Sequence, residues 1–109
     1  MNYEKLSDFE INKAVAINVG CYQGHVEHMK HGVKESDRDS HGIFYFERDY
    51  CNNPSDAWQI ITANRINVYA SEGPDFMPWM AGCGGFMVSN KNPLRAAMIV
   101  FLMMQEQGK

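Results

Sequence analysis

Two helix openings of the same design constrain this chain more than any other feature. The first is Asn53-Pro54-Ser55-Asp56-Ala57-Trp58 and the second is Asn92-Pro93-Leu94-Arg95-Ala96-Ala97. In each, an Asn can serve as N-cap and accept a hydrogen bond from an unpaired backbone N–H. Pro then takes the first helical position, where its missing N–H leaves nothing unsatisfied. A third opening, Ser7-Asp8-Phe9-Glu10, is a capping box, with Leu6 and Ile11 placed for a hydrophobic staple. Three helices follow: about Asp8 to Asn18, Pro54 to Ala63, and Pro93 to Gln105, with Gly20 and Gly108 as stops for the first and third.

Between the helices the pattern changes. Ile43-Phe44-Tyr45-Phe46 is rich in aromatic and β-branched residues and reads as strand. Ile66 to Ala70 alternates and reads as a half-buried strand. Met77 to Ala81 and Gly85 to Val88 read as two more, joined around Gly82-Cys83-Gly84. Cys21 to Met29 reads as a strand carrying Tyr22 and Val26. Lys30 to Gly42 is polar and charged and reads as a mobile loop or a hairpin connection. The fold class is therefore α+β, in the order α-β-β-α-β-β-β-α. One mainly antiparallel sheet of about four to five strands is expected, with three helices packed on it. Residues 1–109 suffice for one domain with a real core. Phe101, Leu102 and at least one of Phe44 and Phe46 are its expected members.

Three stretches carry a resemblance. LSDFEINKAVA (Leu6 to Ala16), DYCNNPSDAWQII (Asp49 to Ile61) and NPLRAAMIVFLMMQE (Asn92 to Glu106) resemble the NinX family of small proteins encoded in the nin region of lambdoid bacteriophages. They cover about a third of the chain. The resemblance implies a phage origin and an α-β-α sandwich-like fold. It implies no catalytic residues, because these motifs are not catalytic signatures.

Charge and composition exclude several classes. A net charge of −3 and no Lys/Arg cluster disfavour nucleic acid as partner. The polar start Met1-Asn2-Tyr3-Glu4 is not a secretory signal. The longest apolar run, Ala96 to Met104, is far below the roughly 18 residues a membrane span needs. Three scattered cysteines suit a reducing host cytoplasm better than a disulfide framework.

Four groups of residues can carry chemistry. His25, His28 and His31, with Cys21, Glu27 and His41 nearby, are zinc-ligand types. On a strand, however, residues three apart point to opposite faces. Asp49, Asn52, Asn53 and Trp58 combine a helix N-terminus, amides and an aromatic face, which suits a polar planar ligand. Gly82-Cys83-Gly84-Gly85 lacks the Lys-Ser/Thr of a phosphate loop and the strand-to-helix context of a dinucleotide site. Its Gly84 and Gly85 still offer side-chain-free backbone to a ligand, or simply form a hairpin turn. Arg95 is the lone charge on an apolar helix and needs a carboxylate, with Asp49 and Asp56 as candidates, or a ligand anion. No nucleophile elbow or triad spacing is present, and no cofactor motif.

The expected function is that of a non-enzymatic phage accessory protein. It would bind a host protein or a small polar, nucleotide-like ligand through Asp49, Asn52, Asn53, Trp58, Gly84, Gly85 and Arg95. A small metal-dependent enzyme using His25, His28 and His31 is the alternative, and a recombination accessory a weaker one. The third helix is apolar nearly all round, from Leu94 to Met104 except Arg95. Either it is sandwiched within one chain or it also packs on a second copy; a homo-oligomer, foremost a dimer, is expected, because the apolar girth of the helix exceeds what one sheet can cover.

Overall fold

The computed structural model describes residues 2–19, 27–29, 32–39, 42–71 and 78–108, with residues 27–47 described as backbone alone. A 3-10 turn, Tyr3–Lys5, leads into α1, Asp8–Asn18. Three strands follow: β1, Glu27–Met29, β2, Gly32–Asp39, and β3, Gly42–Arg48. The chain then forms α2, Pro54–Ala63, the strands β4, Asn67–Ala70, β5, Trp79–Cys83, and β6, Phe86–Asn90, and finally α3, Pro93–Gln107.

The helix starts follow their caps. The Ser7 hydroxyl accepts from the Glu10 amide, and the Ser7 amide donates back to the Glu10 carboxylate, both at 3.1 Å. Asn53 accepts from the Ser55 amide at 2.9 Å. Asn92 accepts from the amides of both Leu94 and Arg95, at 2.9 and 3.2 Å. The two Asn-Pro openings are not equivalent, because the Asn92 amide also donates to the Cys51 carbonyl at 2.6 Å and to Asn52 Oδ1 at 3.1 Å. Asn53→Ala is expected to cost about 1 kcal/mol through the lost cap alone. Asn92→Ala is expected to cost about twice that, since it also orphans a carbonyl. Urea unfolding midpoints of the two variants check the order.

The strands form two three-stranded antiparallel sheets, β1-β2-β3 and β4-β5-β6. The α+β class stands, but one sheet of four to five strands does not. Each strand pairs only with a sequence neighbour, and α2 interrupts the run between β3 and β4. The polar stretch expected as a loop is β2. Its backbone pairs with β3 from Val33↔Arg48 to Asp39↔Gly42. Pairing with an aromatic, β-prone neighbour overrides weak local propensity. Tyr22 and Val26 lie outside the described residues, and so do the side chains of Phe44 and Phe46.

α3 is the centre of the molecule. Residues Ala96 to Leu102 are all buried, with Phe101 at 4% and Leu102 at 3% exposure. β5 and β6 cover one side of the helix, while α1 and α2 cover the others. The sandwich is therefore sheet, α3, then α1 and α2, and the apolar girth of α3 is enclosed within one chain. It supplies no argument for a second subunit. Strand register puts Val68, Ala81 and Val88 on the covered face of the β4-β5-β6 sheet, with Ala81 and Val88 buried. Tyr69 and Met87 stand exposed on the other.

Candidate functional site: a tryptophan-walled groove beside a closed polar node

The first half of the expected site is a polar node between α1, the turn at residues 49–53 and the start of α3. Asn12 is its buried centre, at 1% exposure. Its amide donates to Asp49 Oδ1, and its carbonyl oxygen accepts from the Cys51 amide, both at 3.0 Å. The Asn52 amide donates to both Asp49 oxygens and to Asp8, each at 3.2 Å. Arg95 closes the node. Its guanidinium donates to Asp8 Oδ1 at 2.6 Å and to the carbonyls of Leu6 at 2.6 Å, Glu4 at 3.3 Å and Tyr3 at 3.5 Å.

The partner of Arg95 is therefore Asp8, and neither Asp49 nor Asp56. Asp56 meets Arg48 at 3.6 Å and accepts from the Asp49 amide at 2.9 Å. The guanidinium is spent on fastening the N-terminal segment to α3. The convergence expected from the sequence holds for Asp49, Asn52 and Arg95, but it makes a satisfied network with few spare donors. Burial, together with the carboxylates of Asp8 and Asp49, pushes the Cys51 thiol up to about 12, against the pull of Arg95. Burial and the hydrogen bond to Glu106 at 2.5 Å push the Tyr3 hydroxyl up to about 12 as well.

Both groups are favoured in their neutral forms by folding. The stability they give is full below their ordinary values of 9.0 and 10.0 and is lost as pH rises toward 12. The Tm is expected to stay level from pH 7 to 9 and to fall above that. Peptide mapping after labelling at pH 8 should find Cys51 unmodified in the folded protein, since the thiolate is the reactive form. Labelling of Cys51 as fast as that of half-exposed Cys83 would contradict this.

Trp58 belongs elsewhere. Trp58, Ile61, Thr62 and Arg65 follow one another at helical spacing, through α2 into the turn after it. They form one wall of a groove completed by Ile66, Asn67 and Val68 at the start of β4, Trp79 on β5, and Pro93 and Leu94 on α3. Its volume is about 520 Å³, within the range of roughly 300–1,000 Å³ for small-molecule sites. Trp58 is 63% exposed and Trp79 36%, so two indoles stand open to solvent on one concave surface. Adjacent residues of α3 diverge here: Leu94 lines the groove while Arg95 turns to the polar node.

The way α2 ends places a cation on the rim. The Arg65 amide donates to the Thr62 carbonyl at 3.3 Å and the Ile66 amide to the Ile61 carbonyl at 3.0 Å. This is a Schellman motif, with Ile61 and Ile66 buried as its hydrophobic pair. The position after the C-cap takes the left-handed conformation and usually holds Gly. Here it holds Arg65, at φ 54°, at a strain of about 1–2 kcal/mol. Arg65 is exposed and has no carboxylate partner among the described residues.

The other expected residues do not join the groove. Asn53 is exposed and caps α2. Gly84 and Gly85 form the β5–β6 turn, where Gly84 takes φ 61°, as a two-residue hairpin connection requires. Asn90 lies at the opposite end of β6, roughly 16 Å from Gly85 along the strand, so the glycine backbone does not approach Arg95. His25 and His31 lie outside the described residues, and no group of three His, Cys, Asp or Glu able to hold a metal ion occurs among the described residues. A second, smaller cavity of about 250 Å³ is lined by Val19, Arg48, Tyr50, Asp56 and Ile60 among others. Its charges already face each other. Sequence reading missed Asn12, Arg65 and Trp79. The one signal for Arg65 was the absence of Gly where α2 must stop.

The molecule is thus an α+β protein built around one central helix, with an open, tryptophan-walled groove on its surface. The chain belongs to the NinX family of phage proteins: the family described as Bacteriophage P22, NinX matches residues 2–105. No curated protein and no solved structure matches it. No helix among the described residues is long and apolar enough to cross a membrane.

Proposed function

We propose that this protein is a non-enzymatic phage accessory protein that acts in the host cytoplasm by binding a planar, nucleotide-like ligand in the groove between Trp58 and Trp79. The observation that carries this reading is the pair of open indoles on one concave, mainly apolar surface. Large aromatic side chains left open together mark a binding surface rather than random exposure. An indole face takes a heteroaromatic ring by stacking, at about 1–3 kcal/mol per base. The polar groups on the rim, Thr62, Arg65 and Asn67, are few and of the kind that orient a ligand. Of the residues expected from the sequence, Trp58 has the ligand role. Asp49, Asn52, Asn53 and Arg95 hold the groove's walls in place, and Gly84 and Gly85 turn a hairpin.

Calorimetric titration with the four ribonucleoside 5′-monophosphates, and with a short oligodeoxythymidine, tests the reading. At least one mononucleotide is expected to bind, with Trp58→Ala weakening it by about 5–150-fold. Trp58 is exposed enough that its removal should leave the Tm nearly unchanged. Binding unaffected by Trp58→Ala, or no binding at millimolar ligand, would contradict the proposal. Binding of the oligonucleotide alone would replace it with a single-strand-binding role.

A further inference from the structure

We infer that Arg65 is the anion-recognising residue of the groove, and hence that the ligand carries a phosphate or equivalent anion beside its planar ring. This rests on the groove being the binding site. Three observations converge on it. Arg65 lines the groove that Trp58 and Trp79 wall. It has no carboxylate partner among the described residues, whereas Arg48 and Arg95 each have one. It also stands in a left-handed position, at φ 54°, where glycine would relieve strain.

A purely structural role for this side chain is to complement the negative end of the α2 dipole. Lys would serve that role as well as Arg, and that role does not require the residue to face an apolar groove. What Arg adds is a planar fork of N–H donors that can grip two oxygens of one phosphate and lie flat against a ring. A ring stacked on the indoles with its phosphate at the Arg65 fork uses both halves of the groove. An uncharged nucleoside uses only one.

The test compares the four ribonucleoside 5′-monophosphates with their nucleosides, on the wild type, Arg65→Gly and Arg65→Lys. In the wild type the best mononucleotide should bind at least about tenfold more tightly than its nucleoside. Arg65→Gly should abolish that preference by weakening the mononucleotide far more than the nucleoside, and its Tm should be equal to the wild type's or up to about 5 °C higher. Arg65→Lys should restore only part of the preference and none of the stability. Equal affinity for nucleotide and nucleoside in the wild type, or a preference that survives Arg65→Gly, would overturn the inference and leave the groove as the binding site. Failure of every nucleotide and nucleoside to bind would overturn both.

Discussion

Phe101→Ala is expected to cost about 3–5 kcal/mol, and to lower the Tm by more than about 10 °C. Phe101 sits in the middle of α3, the element on which the β4-β5-β6 sheet, α1 and α2 all pack. At 4% exposure, and with Met98, Val100 and Leu102 buried around it in sequence, its ring has nowhere to be replaced from solvent. The residual cavity would lie where the layers meet, and a close-packed interior relaxes only partly around such a hole. Equilibrium urea unfolding measures the loss. A change below about 1 kcal/mol would show that α3 is not the centre of the core.

Asn12→Ala is the second large effect, expected at about 2–4 kcal/mol. The substitution removes a buried amide that joins the Asp49 carboxylate to the Cys51 backbone. The Cys51 N–H would then be buried without an acceptor, which costs about 1–3 kcal/mol, and Asp49 would lose one charge-assisted donor. The change should also loosen the turn that positions α2, so any weakening of ligand binding must be read against the stability loss. An Asn12→Ala protein as stable as the exposed-cap variant Asn53→Ala would show that the polar node does not hold the helices together.

Much of this fold could be read from local chemistry. The caps at Ser7, Asn53 and Asn92 fixed three helix starts to the residue, because each depends on bonds within four positions of itself. β2 could not be read that way. Gly32–Asp39 is charged, and its strand state comes from its pairing with β3, a separate segment of the chain. The same limit separated the site residues. Arg95 finds Asp8 at a sequence distance of 87 residues, and nothing near Arg95 distinguishes that partner from Asp49 or Asp56. Trp58 was legible as an aromatic face at the start of α2. The groove it walls also needs Trp79 from β5 and Leu94 from α3, which only tertiary packing brings together. Arg65 left a faint local trace, a helix stop without glycine, whose meaning depends on the φ it adopts.

If the Trp58–Trp79 groove is where this protein binds its ligand, both indoles must report the binding. The chain has two tryptophans, so a 15N-labelled sample gives two indole N–H resonances, assigned by Trp58→Phe and Trp79→Phe. Titration with the ribonucleoside 5′-monophosphates reads both at once. Both resonances should shift in a saturable way with a common Kd, together with the backbone amides of Arg65 and Asn67. Indole resonances that stay fixed while a nucleotide shifts amides elsewhere, or that stay fixed with every nucleotide offered, would show that the groove is not the binding site.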